Sequence, residues 1–234
     1  MLDAYSRRAR LAPALLAALP PLTLLGGGAV SPVRAASILA ITFGGVALVV
    51  CGVVRDAGRG LQPQLWESWG GAPTLRRLRW RGATDVAAVT RLHARLGEVW
   101  DQQLPTQTDE DDRPEEADQL YAEAVAALRE LTRDRKRFPL VFEENVEYGF
   151  RRNCLGLRRV ALVLAAATVG IGVVLALTSA GPHPIRFWAP AAVGLIALVA
   201  WYRLVTPAWV RTPGELYADR LLEAIESLRR QNAG

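Results

Sequence analysis

The chain has 234 residues, 51% of them hydrophobic, and a formal net charge of +5. Two cysteines and two histidines are too few for a disulfide framework, and none fall into a Cys/His cluster with metal-ligand spacing. A hydrophobic fraction of this size is compatible with a soluble protein, but its distribution is not, because the apolar residues gather in four blocks with the charges between them.

Residues 1–10 form a short basic start. The apolar stretch 11–33 follows, broken by Pro20, Pro21 and Gly26, Gly27 and Gly28. It has the outline of a signal peptide, and SRRARL at 6–11 has a twin-arginine look. The length of the run, the missing A-x-A site and the immediate start of a second apolar block favour a retained first span. The adjacent prolines should kink it, leaving carbonyls for neighbouring helices to satisfy. A second span, 35–54, carries no charge, and the linker 31–34 makes the pair a tight hairpin (residues 1–54).

The third span, 160–180, reads VALVLAAATVGIGVVLALTSA behind Arg158 and Arg159. At about 1.5 Å per residue, roughly 20 such residues cross a hydrocarbon core of about 30 Å. A Pro/Gly turn at 181–186, with His183 as a turn residue, leads to a fourth span at 187–206. Trp188 at one end and Trp201, Tyr202 and Trp209 at the other mark the two interfaces. Residues 160–206 are thus a second hairpin.

The segment 55–159 reads as a helical domain. Residues 61–73 look irregular, with Trp66 and Trp69 either packing the domain or lying at the membrane surface. A first helix is expected over 85–100, capped by Thr84, with Val89, Leu92, Leu96 and Val99 spaced 3, 4, 3 as in a coiled-coil seam. An acidic loop at 104–113 leads to a second helix, from Pro114 to about 135. Its stripe is Ala117, Leu120 or Tyr121, Ala124, Leu128 and Leu131. Together they resemble an antiparallel helical hairpin. A membrane-proximal linker helix, 138–157, sets Phe142, Val146, Phe150 and Cys154 four apart. Arg151 and Arg152 fall at the headgroups, and Gly156 breaks the helix before the third span. It is read as the coupling element between domain and membrane. In the tail, 207–234, Thr212 and Glu215 form a capping-box signature for an amphipathic helix over 213–230. Its seam of Ala218, Leu221, Ile225 and Leu228 needs a partner, either the 85–135 hairpin or a second subunit.

Of the 28 basic residues, all but Arg34 and Arg186 fall on one side of these spans. The positive-inside rule places both termini and 55–159 in the cytoplasm. Twenty-seven of the 28 are arginine, Lys136 being the exception, a compositional mark of high-GC bacterial coding. The expectation is an all-α, multi-pass protein of a bacterial inner membrane, with four transmembrane helices in two hairpins.

No enzyme motif appears, so no catalytic role, cofactor or metal is expected, and His93 reads as an ordinary surface or seam residue. The spans lack ionisable residues, which argues against proton-coupled transport but not against a pore; Thr42, Thr168, Thr178 and Ser179 are their few polar groups. Ala166 and Gly170, then Gly172, Ala176 and Ala180, offer a self-association face or intramolecular packing. Arg76, Arg77, Arg79 and Arg81 around Trp80, with Arg91 and Arg95, form a basic block; nine acids follow within 98–118, then a second basic block at 129–137. Two readings stand for the first block. It is neutralised internally or between subunits, or it binds a phosphorylated or nucleotide ligand, with Trp80 stacking on a base. No feature points to duplex nucleic acid.

No motif names a family. The layout is similar to that of membrane effectors of bacterial defence. That likeness implies a homo-oligomeric ion channel or pore-forming effector whose cytoplasmic helices sense a ligand or partner. The alternative is a non-conducting anchor or scaffold that docks a cytoplasmic partner protein.

Overall fold

The computed structural model describes residues 5–25, 32–178 and 185–232, with the backbone alone at 25, 32–48, 185, 187 and 232. The glycines at 26–28, the two hairpin turns, His183, the last two residues of the third span (Ser179 and Ala180) and the Thr42 side chain lie wholly or partly outside them. Among the described residues the chain is all-helical and has no strand. A π-helical turn, Ser6–Leu11, precedes α1 (Ala12–Leu25), α2 (Pro32–Ser68), α3 (Pro73–Leu78), α4 (Val86–Trp100), α5 (Gln107–Asp112), α6 (Pro114–Leu131), α7 (Pro139–Thr178), α8 (Ile185–Arg203) and α9 (Pro207–Asn232). Among them α7 is long and apolar enough to cross a membrane, and α8 with α9 passes the same test only as a bent pair. By length and composition the described residues hold one or two candidate spans.

The chain divides into two compact units. One comprises Met1–Gln62 and Val146–Val210, the other Pro63–Asn145 and Arg211–Gly234. The first is held by α1 against α8 and by small residues on α7. Ala161, Ala165, Thr168, Gly172 and Ala176 form its buried face. Gly194 of α8 meets that face so closely that a Cβ would sit 3.0–3.1 Å from Val169 and the Ala165 carbonyl. Gly156 does not break α7. It lies inside the helix, where a Cβ would stand 2.7 Å from backbone atoms of Ala57 and Gly58, so its bare Cα is what lets α2 and α7 touch.

The second unit has its own core. Leu78 of α3, Leu96 of α4, Tyr121, Ala124, Val125 and Leu128 of α6, Phe138 and Val141, and Leu221, Ile225 and Leu228 of α9 are all buried in one cluster. Each large side chain so buried contributes about 1.5–3 kcal/mol. The α4 and α9 seams therefore meet within one chain, which gives the tail helix its partner. On α6 the buried stripe runs through Tyr121, while Leu120 and Leu131 face outward.

Several expected boundaries move. The cap of α4 is Asp85, whose carboxylate accepts the Ala88 N–H at 2.9 Å, and not Thr84. The acidic loop contains α5, started by a reciprocal capping box between Thr106 and Asp109. Helix α6 stops at Leu131, short of 135. Residues 61–68 continue α2 through Pro63, and Trp69 beyond them is buried in the second unit, so this segment packs and is not irregular. Helix α9 begins at Pro207 and passes through Pro213, so Thr212 caps nothing and Glu215 is free for other bonds.

Candidate functional site

The basic block lies at the centre of the second unit, and its charges are met by carboxylates. Glu215 and Asp219 are one turn apart on α9. The Arg77 fork bridges them, with Nη1 2.6 Å from Glu215 and Nε 2.7 Å from Asp219. Arg76 reaches the other Glu215 oxygen at 2.9 Å. Arg79 pairs bidentately with Asp118 of α6, both N···O distances being 2.8 Å, and donates to the Gly70 carbonyl. Gly71, at φ +125°, makes room for that guanidinium, since a Cβ there would lie 2.7 Å from its Nη1. Arg81 also binds Asp118, at 2.5 Å. Arginine suits these contacts because its planar fork matches a carboxylate.

Beneath the arginines is a buried polar centre. Glu110, 1% exposed, accepts the backbone N–H groups of Trp80 and Arg81 at 2.9 and 3.0 Å and the Tyr121 hydroxyl at 2.7 Å. The capping box that begins α5 aims this side chain inward. Burial pushes the Glu110 carboxyl up. The hydrogen bonds from Arg81, Tyr121 and Trp80, with the Arg81 charge, outweigh burial and hold it below the ordinary carboxylate range. Burial and the adjacent Glu110 carboxylate push the Tyr121 phenol well up, so it stays a neutral donor.

His93 is buried, not a surface residue. Its Nε2 lies 2.6 Å from the Leu78 carbonyl, which can only accept, so Nε2 carries the hydrogen. Burial lowers its pKa despite that carbonyl and the Glu110 charge. Its ring meets the edge of Trp80 at 4.7 Å and tilts against Tyr121 at 5.5 Å. Trp80 donates its indole N–H to the Pro105 carbonyl at 2.9 Å. Beside His93 is an open recess of about 530 Å³, lined by Gly97, Asp101, Gln102 and Leu104 among others.

The structure places Arg76, Arg77, Arg79, Trp80 and Arg81 on α3 and the residues that follow it. It adds Glu110, Asp118, Glu215, Asp219, His93 and Tyr121, which sequence reasoning did not assign to the block. The acids following the arginines were the available signal, but which of them turn inward depends on the start of α5.

The expected coupling residues all lie on α7. Phe142 belongs to the second unit, under the Arg135 guanidinium at 4.9 Å. Val146, Phe150, Arg151 and Arg152 belong to the first. Arg151 pairs with Glu147 at 2.7 Å, lies 4.9 Å over the Trp209 ring and donates to the Trp209 carbonyl. Arg152 is 8% exposed and donates to Gln62 at 2.8 Å. Of the small residues, Ala166 and Gly170 face outward and Gly172 and Ala176 inward. Among the described residues no group of three His, Cys, Asp or Glu side chains is placed to hold a metal ion, and both cysteines are free and buried.

No protein-family model, curated protein or solved structure matches this chain.

Proposed function

We propose that the chain is a four-span protein of a bacterial inner membrane, with both termini and the 55–159 segment cytoplasmic, and that it anchors a helical docking module for a cytoplasmic partner protein. It carries out no catalysis in this reading. The observation behind it is the fate of the basic block. Four arginines suited to phosphate are engaged by Glu215, Asp219 and Asp118, and Trp80 is held by Pro105 and His93. A phosphorylated ligand would have to displace those carboxylates, so a protein partner on the outer surface is the simpler occupant. Leu120 and Leu131, 37% and 44% exposed, lie on one outward face of α6, eleven residues or about three turns apart. A photo-crosslinker at either position in the full chain should give one discrete hetero-adduct in cells, and the same group at Val163 should give lipid adducts. Adducts only to lipid or to other copies of the chain at 120 and 131 would sink the docking role.

The second reading is a homo-oligomeric channel. It is favoured by Ala166 and Gly170, which bring a bare patch to the outward face of α7, with no atom within 4 Å of a Cβ built at Gly170. Single-channel steps from the purified protein in a planar bilayer, abolished by Gly170→Leu, would support it. Silence under native triggering, with membrane potential retained, would remove it.

A further inference from the structure

The two units divide the charge unequally. The first unit holds twelve arginines against three acids, Asp3, Asp56 and Glu147, whereas the second holds sixteen basic residues against twenty acids. The surplus of the apolar unit is gathered at one level. The Asn153 amide donates to the Ala9 carbonyl at 2.6 Å, tying the π-helical turn to α7. Gly156 meets Ala57 and Gly58 of α2. Arg158 donates to the Trp201 and Tyr202 carbonyls at the end of α8. Near these contacts lie ten of the twelve arginines, three on the turn, two on α2, four on α7 and one at the end of α8; Arg34 and Arg186, near the other ends of α2 and α8, are the two left out. The acids at this level are Asp56 and Glu147, which pair with Arg55 and Arg151.

Four of these arginines lie over aromatic rings: Arg10 over Tyr5 at 5.3 Å, Arg151 over Trp209 at 4.9 Å, Arg152 over Tyr148 at 5.5 Å and Arg158 over Tyr202 at 5.6 Å. Such stacking, with donation to Ser6, Glu147, Gln62 and the Tyr202 carbonyl, fixes these four guanidinium groups in place. The Arg152 Nε is buried without a hydrogen-bond partner. Arg7, Arg8, Arg59 and Arg159 are exposed, and no carboxylate among the described residues pairs with them. Directly beyond the collar, α7 turns apolar and outward-facing, with Val163 68%, Val174 58% and Leu177 73% exposed.

We infer that this collar is a binding surface for the phosphodiester headgroups of anionic phospholipids. Four exposed arginines without carboxylate partners among the described residues, set among guanidinium groups fixed by aromatic rings and next to an exposed apolar wall, match a lipid that offers a phosphate and acyl chains together. A soluble phosphate would use the donors and leave the wall uncovered. The inference rests on the membrane reading above and gives it a lipid preference.

The test uses the full chain in detergent, titrated with dioleoylphosphatidylglycerol or dioleoylphosphatidylcholine and followed by native mass spectrometry. The anionic lipid should bind at least ten times more tightly, and 0.5 M salt should reduce that preference several-fold. A variant with Arg7, Arg8, Arg59 and Arg159 changed to Gln, all exposed and without a carboxylate partner among the described residues, should stay folded by circular dichroism and lose most of the preference. Equal binding of the two lipids, or an unchanged preference in the variant, overturns the proposal. So does an equal thermal shift from inorganic phosphate at matched concentration, which would mark a free-anion site. Alkaline carbonate extraction of native membranes separates the premise: a chain retained by the bilayer but indifferent to headgroup leaves the membrane reading standing, and a chain released by carbonate removes both.

Discussion

Arginine is used in a different balance of ways in the two units. In the acid-rich unit, guanidinium forks meet carboxylates: Arg77 with Glu215 and Asp219, Arg79 and Arg81 with Asp118. In the apolar unit, arginines lie on aromatic rings and serve backbone carbonyls that have no helical donor. Pro213 has no N–H for the carbonyl four residues before it, that of Trp209, and Arg151 donates there at 3.2 Å. Arg158 does the same for the last carbonyls of α8. Asn153 plays the equivalent part for the Ala9 carbonyl, which lies four residues before Pro13, a residue with no N–H to give it. Where water and acids are at hand, arginine makes ion pairs. Beside a long apolar helix it repairs backbone and keeps charge in reserve.

The contrast breaks most severely at Glu110. Glu110→Ala strips the buried Tyr121 hydroxyl and two part-buried backbone N–H groups of their acceptor, and about 3 kcal/mol of stability should be lost from the second unit. Hydrogen exchange on the full chain should show it as lost protection over 107–131, with 161–176 unchanged. The mirror experiment is Gly156→Ala. A methyl 2.7 Å from the Ala57 and Gly58 backbone must push α2 from α7, at about 2 kcal/mol. Here protection should fall in the first unit alone, and equal loss in both would contradict the division. Asn153→Ala leaves the Ala9 carbonyl without its donor, and the π-helical turn should loosen by about 1–2 kcal/mol, read as faster exchange at 9–13.

Acid sharpens the comparison at smaller amplitude. The Glu110 and His93 pKa values are both held down in the folded unit, from ordinary values of 4.5 and 6.5. Each therefore contributes stability that is complete above its unfolded pKa and lost as pH falls through the folded one. The second unit should begin to weaken below about pH 6.5 as His93 is forced to take a proton, and further below about pH 4.5 as Glu110 does. Intrinsic tryptophan fluorescence from Trp80, compared with a His93→Gln variant, checks the upper step; an unchanged profile in the variant assigns that step elsewhere.

What could be read in the sequence was periodic. The 3, 4, 3 spacing of α9 named four buried residues and that of α4 two buried, Val89 and Leu96, and two half-buried, Leu92 and Val99, because a seam needs only a pattern of apolar side chains. The third apolar block is where α7 is most apolar. What failed was punctuation. The irregular segment expected from 61, the break expected at Gly156 and the helix start expected at 213 fall inside helices, since tertiary partners tolerate or exploit these residues: Arg151 takes the carbonyl that Pro213 frees, and Gly156 is a contact point. The inward carboxylate of Glu110 was not legible among its neighbours Asp109, Asp111 and Asp112. Only the phase of a six-residue helix selects it.

The central claim is that the outward apolar face of α7 is covered by lipid. Val174 is 58% exposed in the folded chain, so nothing within the described protein shields it. Single cysteines at Val174→Cys and Glu123→Cys, with Cys51 and Cys154 changed to serine, should be probed in native vesicles opened to both sides with a water-soluble maleimide. The account predicts rapid labelling at 123 and almost none at 174 until detergent is added. Equal labelling at both positions in intact bilayer would contradict it.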